Sequence, residues 1–290
     1  LVVKPLLLVL YAMLVGVAVA HSRTIGRFLT PMLASMWVMA LLVIVFIATS
    51  GVHLSQLAGT YERSFLSPLG MHANDLGRLY ATAYALLLFI WDRTPRASLK
   101  AFLVVSMAVV SAALLLTFSR GAIVAFLIVN VIYLFSRRKL KTIVLCAMVV
   151  PVILMLMPGA IWSRLDMGMD QGANAVSAGR VKGIWLPLLP WVAQSPIWGH
   201  GLQSILWSPA MVTGHMMQVT HPHSAWLQAV LDTGAIGLVL ILCFWIGHVW
   251  RGLRKLARDP SLTPELSGFF EGAAAGLLGF VIANVAGSSF

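Results

Sequence analysis

The chain has 290 residues, of which 60% are hydrophobic and 10% charged, with a mean hydropathy of +0.91. Soluble domains carry about a quarter charged residues, so this composition excludes a soluble globular protein and defines an integral membrane one. The formal charge of +11 does not point to nucleic acid, because no basic stretch is interleaved with aromatic residues; in a membrane protein such an excess reflects the orientation rule for Lys and Arg.

In chain order, apolar spans are predicted at 5–20, 29–49, 76–92, 100–119, 120–136, 142–158, 224–250 and 269–290. Long unbroken runs fit α-helical spans, not the alternating segments of a barrel. The expected fold is therefore all-α, a polytopic transmembrane helical bundle of about eight spans forming one domain over residues 1–290. Cys146 and Cys243 both fall inside apolar runs and read as packing residues. The chain enters an apolar run almost at Leu1 and stops in another at Phe290, so it reads as a piece trimmed at both ends.

The connections separate by charge. Arg23 and Arg27, then Arg93, Arg96 and Lys100, then "RRKLK" at 137–141, then Arg251, Arg254, Lys255 and Arg258 all fall on one side. The positive-inside rule makes that side cytoplasmic. The outer side receives residues 50–75, the turn at Ser119–Gly121 and the long periplasmic segment 159–223. Residues 100–136 must cross and return, so "TFSRGA" sits at the outer end of a short hairpin. An arginine there is costly unless it faces protein, water or an anion; the alternative reading of Arg120 is snorkelling to lipid phosphate.

Segment 159–223 is longer than an ordinary loop. Its middle, "IWLPLLPWVAQSPIWG", is broken by Pro187, Pro190 and Pro196, so it should form interfacial helices or dip in and return instead of spanning. Trp162, Trp185, Trp191, Trp198, Trp207 and, at its exit, Trp226 are interface anchors or flat faces for a sugar or lipid chain.

At the entry to the seventh span stands "THPHSAWLQAVLDTGAIG", residues 220–237. On a continuous helix Gly234 falls within about 20° of His223 and roughly 16 Å deeper, with Val230 and Gly237 on the same stripe. Small residues on one face admit a close neighbour, so the expectation is a packed helix with His223 at the top of the seam. Asp232 lies across the helical wheel from His223 and is expected to meet a polar group of another helix, with Gln228 one turn above. A neutral imidazole is suited to take a proton near pH 7, and a structural histidine at a helix start is the equal alternative. A metal site from His215, His221 and His223 is disfavoured, because Asp166 and Asp170 are distant in sequence and no cysteine is nearby.

Arg180, in "SAGRVKGIW", shares the outer side with Lys182 and Arg120. Arginine's planar fork binds phosphate oxygens bidentately and stays charged. Two arginines and one base suit transfer from a diphosphate-linked donor, whereas no carboxylate pair of the glycosidase kind appears on this side.

These residues resemble the O-antigen ligases and their polymerase relatives, membrane glycosyltransferases of the GT-C type. The family signature is His, then Asn, Ser or Gln, nine residues, Gly, two residues, and Gly, Thr or Tyr; His223, Ser224, Gly234 and Gly237 match it in full. "TFSRGA" resembles a second element through Arg120, and "GRVKGIW" with "SPIWGHG" a third through Arg180, Trp185, Pro196, Gly199 and Gly201. "SPLGMHANDLG" is a weaker fourth, with Ala73–Asn74 where the family has Pro–Asn.

The resemblance implies a donor polysaccharide on undecaprenyl diphosphate, an acceptor sugar of lipid A–core, and a multi-pass protein of the bacterial inner membrane whose site faces the periplasm. It implies no cofactor, metal or nucleotide sugar. Arg120 and Arg180 would bind diphosphate and His223 would activate the acceptor, with Asn74, Lys182, His221 and Trp185 as further substrate contacts. The family has about twelve spans, which agrees with missing ends. A polymerase and a protein O-glycosyltransferase share the class. A lipid-linked oligosaccharide flippase is the alternative from another class, and it expects charge at mid-membrane, where this sequence offers only Asp232 and Glu271.

Overall fold

The computed structural model describes residues 26–49, 72–137 and 172–284, with a few isolated positions outside these stretches. In order it contains α1 (Gly26–Thr49), α2 (Ala73–Arg93), α3 (Ala97–Leu116), α4 (Arg120–Arg137) and the short α5 (Ala173–Val176). A π-helical turn, Val181–Trp185, then leads into α6 (Leu186–Gln194). A 3₁₀ turn, Ser204–Trp207, precedes α7 (Pro209–Val212), and α8 (Ala225–Leu242) continues through a π-helical stretch, Cys243–Trp250, into α9 (Arg251–Leu256). The last described helix is α10 (Pro264–Ala283).

The fold is an all-α polytopic helical bundle. Five of the described helical stretches are long and apolar enough to cross a membrane: Thr30–Thr49, Ala97–Leu116, Arg120–Arg137, Ala225–Leu256 and Pro264–Ala283. That is fewer than the eight expected. The expected spans 5–20 and 142–158 lie outside the described residues. The remaining one, α2, carries Asp75, Arg78, Asp92 and Arg93 and is not among the five. It can carry those charges because it is the hub of the bundle, packed on α3, α4 and above all α10. Its burial is not confined to one stripe: Ala83, Ala85, Leu86, Leu87, Leu88 and Phe89 are all shielded.

Small residues set the closest seam. A Cβ on Gly268 would fall 2.5 Å from the Phe89 carbonyl oxygen, and one on Gly272 2.6 Å from that of Ala85. Glycines four apart on α10 thus let its backbone lie against α2, a packing device that membrane helices use in place of a hydrophobic drive.

The far end of this seam is closed by charge. Arg137 pairs with Asp92 at 2.7 Å and with Glu271 at 2.9 Å, and Arg93 reaches Glu271 at 3.1 Å. The Tyr133 hydroxyl donates to Asp92 at 3.0 Å. Glu271 is therefore neutralised at the helix ends and is no isolated mid-membrane carboxylate.

Residues 172–223 form a cap with their own apolar cluster. Ile184, Leu188, Ile205, Met211 and Met216 bury against Leu231 of α8. The proline-rich middle does not span: α6 has nine residues, about 14 Å at 1.5 Å per residue.

The expected continuous helix from His223 through Gly237 is corrected. His223 precedes the helix with φ 53, Ser224 is the N-cap, and α8 breaks at Gly234, φ 65 and ψ −166. The break strands backbone groups, and the loop 196–201 takes them up. His200 and Gly201 donate to the carbonyls of Leu231 and Asp232 at 2.8 and 2.9 Å, while Ala235 and Ile236 donate to those of Pro196 and Ile197 at 2.8 and 3.2 Å. Buried backbone groups need partners, so the "SPIWGHG" loop and the helix break are one structural unit. A Cβ on Gly237 would strike Thr233 of its own helix, whose hydroxyl donates to the Ala229 carbonyl at 2.7 Å.

Asp232 is likewise corrected. Its partner is not on another helix but in the cap: Oδ1 accepts from the Ser204 N–H at 3.1 Å and hydroxyl at 3.3 Å, while Oδ2 accepts from Gln228 at 2.6 Å.

Candidate functional site

Three arginines from three separate elements line one cavity. At the start of α2, the His72 ring accepts from the Asn74 N–H at 3.2 Å and caps the helix. Asn74 and Arg78, four residues apart, then share a face. Arg78 is buried, donates through Nε to the Asn74 carbonyl at 3.2 Å, and pairs with Asp75 at 3.3 Å. Its Nη1 donates to Asn284 Oδ1 at the end of α10.

Arg120 opens α4 after the turn Thr117–Ser119. The Thr117 hydroxyl donates to the Leu114 carbonyl at 2.7 Å, and Ser119 Oγ accepts from the Ala122 N–H at 3.3 Å. Phe118 sits between them at φ 49 and 2% exposed. The turn lies hard against α2, since a Cβ on Gly77 would be 2.6 Å from that of Ala122. This close approach carries Arg120 to Asn74 and Arg78.

Arg180 follows a left-handed corner at Ala178 and Gly179. Asn174 shapes that corner: its carbonyl accepts from the Gly179 N–H at 2.7 Å and its Oδ1 from the Lys182 N–H at 2.8 Å. The resulting cavity holds about 100 Å³ and is lined by Asn74, Arg78, Ser119, Arg120, Gly121 and Arg180, with residues 176–178 and Ala283. Among the described residues no carboxylate is in that lining; Asp75 is paired with Arg78.

The His221–Pro222–His223 turn lies outside that lining but within electrostatic reach of Arg180, which is part of it. The Trp185 indole N–H donates to the Pro222 carbonyl at 2.8 Å, and Ser224 Oγ accepts from the Leu227 N–H at 3.3 Å. Between these two fixed points the imidazoles meet edge to face, centroids 4.2 Å apart. Nδ1 of His221 is buried without a hydrogen-bond partner among the described residues, an uncommon condition for a buried polar atom.

Electrostatics tie the turn to the arginines. Burial, then His221, Arg180 and His72 together hold the His223 imidazole down to about 4. Burial and Arg180 likewise lower His221, opposed by Asp75. Burial and the neighbouring Arg120 push the Arg180 guanidinium below its usual range, yet arginine remains charged at neutral pH. His223 is therefore neutral at pH 7 beside a desolvated, cationic hollow.

Of the residues singled out in the sequence, Asn74, Arg120 and Arg180 line the cavity, and His221 and His223 lie outside its lining, in the field of Arg180. Lys182 is exposed and outside the lining. Trp185 uses its N–H to hold the histidine turn. Ser224 is a cap, Gly234 a break, and Gly237 clears Thr233. Arg78 escaped the sequence reading. Its signal was an arginine inside a predicted span, one turn from Asn74.

Fold and site together define a polytopic helical membrane protein with a cationic cavity at one end of its bundle. Residues 102–242 match the family described as O-antigen ligase, which supports membership of that family, one of membrane enzymes of the glycosyltransferase type. No curated protein gives a significant match. The matched stretch contains Arg120, Arg180, His223, Gly234 and Gly237, while Asn74 and Arg78 precede it.

Proposed function

We propose that this chain transfers a polysaccharide from undecaprenyl diphosphate to a lipid A–core sugar at the periplasmic face of the inner membrane. The observation that carries this reading is the cavity lined by Arg78, Arg120 and Arg180 next to a neutral histidine. Arginine forks match diphosphate oxygens, and three of them in a partly desolvated hollow favour an anion more strongly than they would in water.

In the proposed reaction His223 takes the proton of the acceptor hydroxyl as its oxygen attacks the anomeric carbon. The bond from that carbon to the diphosphate oxygen breaks, and undecaprenyl diphosphate leaves with its new charge held by Arg120 and Arg180. Arg78, clamped by Asp75 and Asn284, serves as the fixed wall against which the diphosphate rests. Charge that grows on the leaving group is where prearranged donors lower a barrier most.

The test uses protein in detergent with an undecaprenyl-diphosphate glycan and rough lipopolysaccharide, comparing wild type with His223→Ala. Transfer to lipid A–core that vanishes in the variant supports a ligase with His223 at its centre. Glycan lengthening on its own lipid would make the chain a polymerase with the same site. Neither product from intact protein would overturn the transferase reading and raise the flippase.

A further inference from the structure

A second charged hollow lies at the other end of the long α8–α9 helix, remote from the arginine cavity. It encloses about 630 Å³ and is lined by Trp250, Arg251, Arg254, Lys255, Arg258, Asp259 and Pro260. We propose that this hollow binds the phosphate headgroup of an anionic membrane phospholipid.

Three observations support this. First, the four cations outnumber the one acid beside them, Asp259, which lies in the field of Lys255. Asp259 is the one carboxylate of the lining, and its Oδ1 is engaged by the Ser261 N–H at 2.9 Å and hydroxyl at 2.7 Å. Among the described residues none of the four basic side chains forms an ion pair, whereas Arg93 and Arg137 are paired with Glu271. Second, Trp250 stands in the lining with Arg254 over its ring at 5.6 Å. Tryptophan and arginine together mark the headgroup level of a bilayer. Third, the same helix leaves Val239, Leu240 and Phe244 more than half exposed, an apolar surface along which acyl chains can run. A free phosphate would use the cations and leave that surface unused; a lipid uses both. Basic pockets at the ends of membrane helices are suited to such headgroups.

The experiment measures lipid retained by detergent-purified protein after exchange into phosphatidylglycerol or phosphatidylcholine micelles, for wild type and for Arg254→Gln/Arg258→Gln. Each basic side chain near an anionic membrane surface strengthens binding about fivefold, so the double variant should lose roughly 25-fold in phosphatidylglycerol affinity. Phosphatidylcholine retention should stay low and unchanged, and millimolar inorganic phosphate should fail to displace the lipid. Equal retention of the two lipids, unchanged retention in the variant, or displacement by phosphate alone would each overturn the proposal. If the double variant inserts poorly, Lys255→Gln and a salt titration of the wild type decide instead: affinity that does not fall with ionic strength sinks the idea.

Discussion

Gly199 and Gly234 meet backbone against backbone. A Cβ on Gly199 would lie 2.5 Å from the Gly234 nitrogen, and one on Gly234 would lie 2.2 Å from the carbonyl oxygen of Ile197, two residues before Gly199. Both also have positive φ, 70 and 65. Alanine at either place must force the cap loop away from the helix break, a cost expected above about 3 kcal/mol. Gly201 is the control, with φ 93 but open space around it; alanine there should cost only about 1–2 kcal/mol. Thermal unfolding in detergent, followed by loss of monodisperse protein, compares the three variants. Equal losses would show that the loop is not wedged in the break.

Asp232 ties the same loop to α8 from the side. Removing its carboxylate in Asp232→Ala leaves the buried Ser204 hydroxyl without its acceptor and frees Gln228, while the Ser204 N–H keeps the Gly201 carbonyl at 3.2 Å. An orphaned buried donor costs about 1–3 kcal/mol, so the variant should melt earlier. Transfer measured well below its melting point should persist, because the residue secures the cap and does not reach the arginine cavity. Complete loss of transfer in intact Asp232→Ala would assign it a role in chemistry.

The three arginines should separate by substitution. Arg120→Lys and Arg180→Lys keep charge but lose the fork, and each is expected to lower transfer by roughly 10- to 100-fold, about 1.4–2.7 kcal/mol, with little change in inserted protein. Arg78→Lys should also reduce inserted protein, because Arg78 is buried and joins α2 to the end of α10. The amount of folded protein, measured beside activity, checks this. Arg78→Lys that inserts normally and transfers at the wild-type rate would remove it from the site.

Protonation of His223 gives a pH signature. Its ordinary ionisation lies near 6.5, and burial, His221, Arg180 and His72 hold it to about 4. The folded protein thus favours the neutral ring. The associated stability is intact above about pH 6.5 and declines as pH falls from there toward 4. For activity, kcat/KM reports the free enzyme and kcat the complex. The acid limb of kcat/KM is expected near pH 4, and that of kcat should lie higher, because a bound diphosphate offsets the arginine charge. Arg180→Gln should move the kcat/KM limb upward. Coincident limbs in wild type would show that the anion does not sit beside His223.

His223→Ala should remain folded and inserted. His223 precedes the N-cap and fills no core, whereas Ser224 makes the cap bond to Leu227. Ser224→Ala is expected to cost about 1 kcal/mol and His223→Ala less. A large fall in inserted His223→Ala protein would favour a structural histidine over a base.

Hydropathy and charge by themselves determined the class of fold, the positions of the described spans and the hairpin that places Arg120 at a helix end. These follow from local chemistry, since an apolar run long enough to cross a bilayer and a basic residue beside it act without reference to the rest of the chain. The family motif likewise marked His223, Ser224, Gly234 and Gly237. Their roles, however, belong to the tertiary structure. A periodicity argument assumes a continuous helix, and α8 is not continuous: the hydrogen bonds that make the Gly234 break tolerable come from Pro196, Ile197, His200 and Gly201, more than thirty residues earlier. Nor could spacing show that α2, with charges at both ends, lies at the centre of the bundle. Only the packing of Gly268 and Gly272 against α2, and of Gly77 against the turn before α4, brings Arg78 to Arg120. Sequence supplied residues able to hold an anion, and close backbone approaches at glycine decided which of them share a cavity.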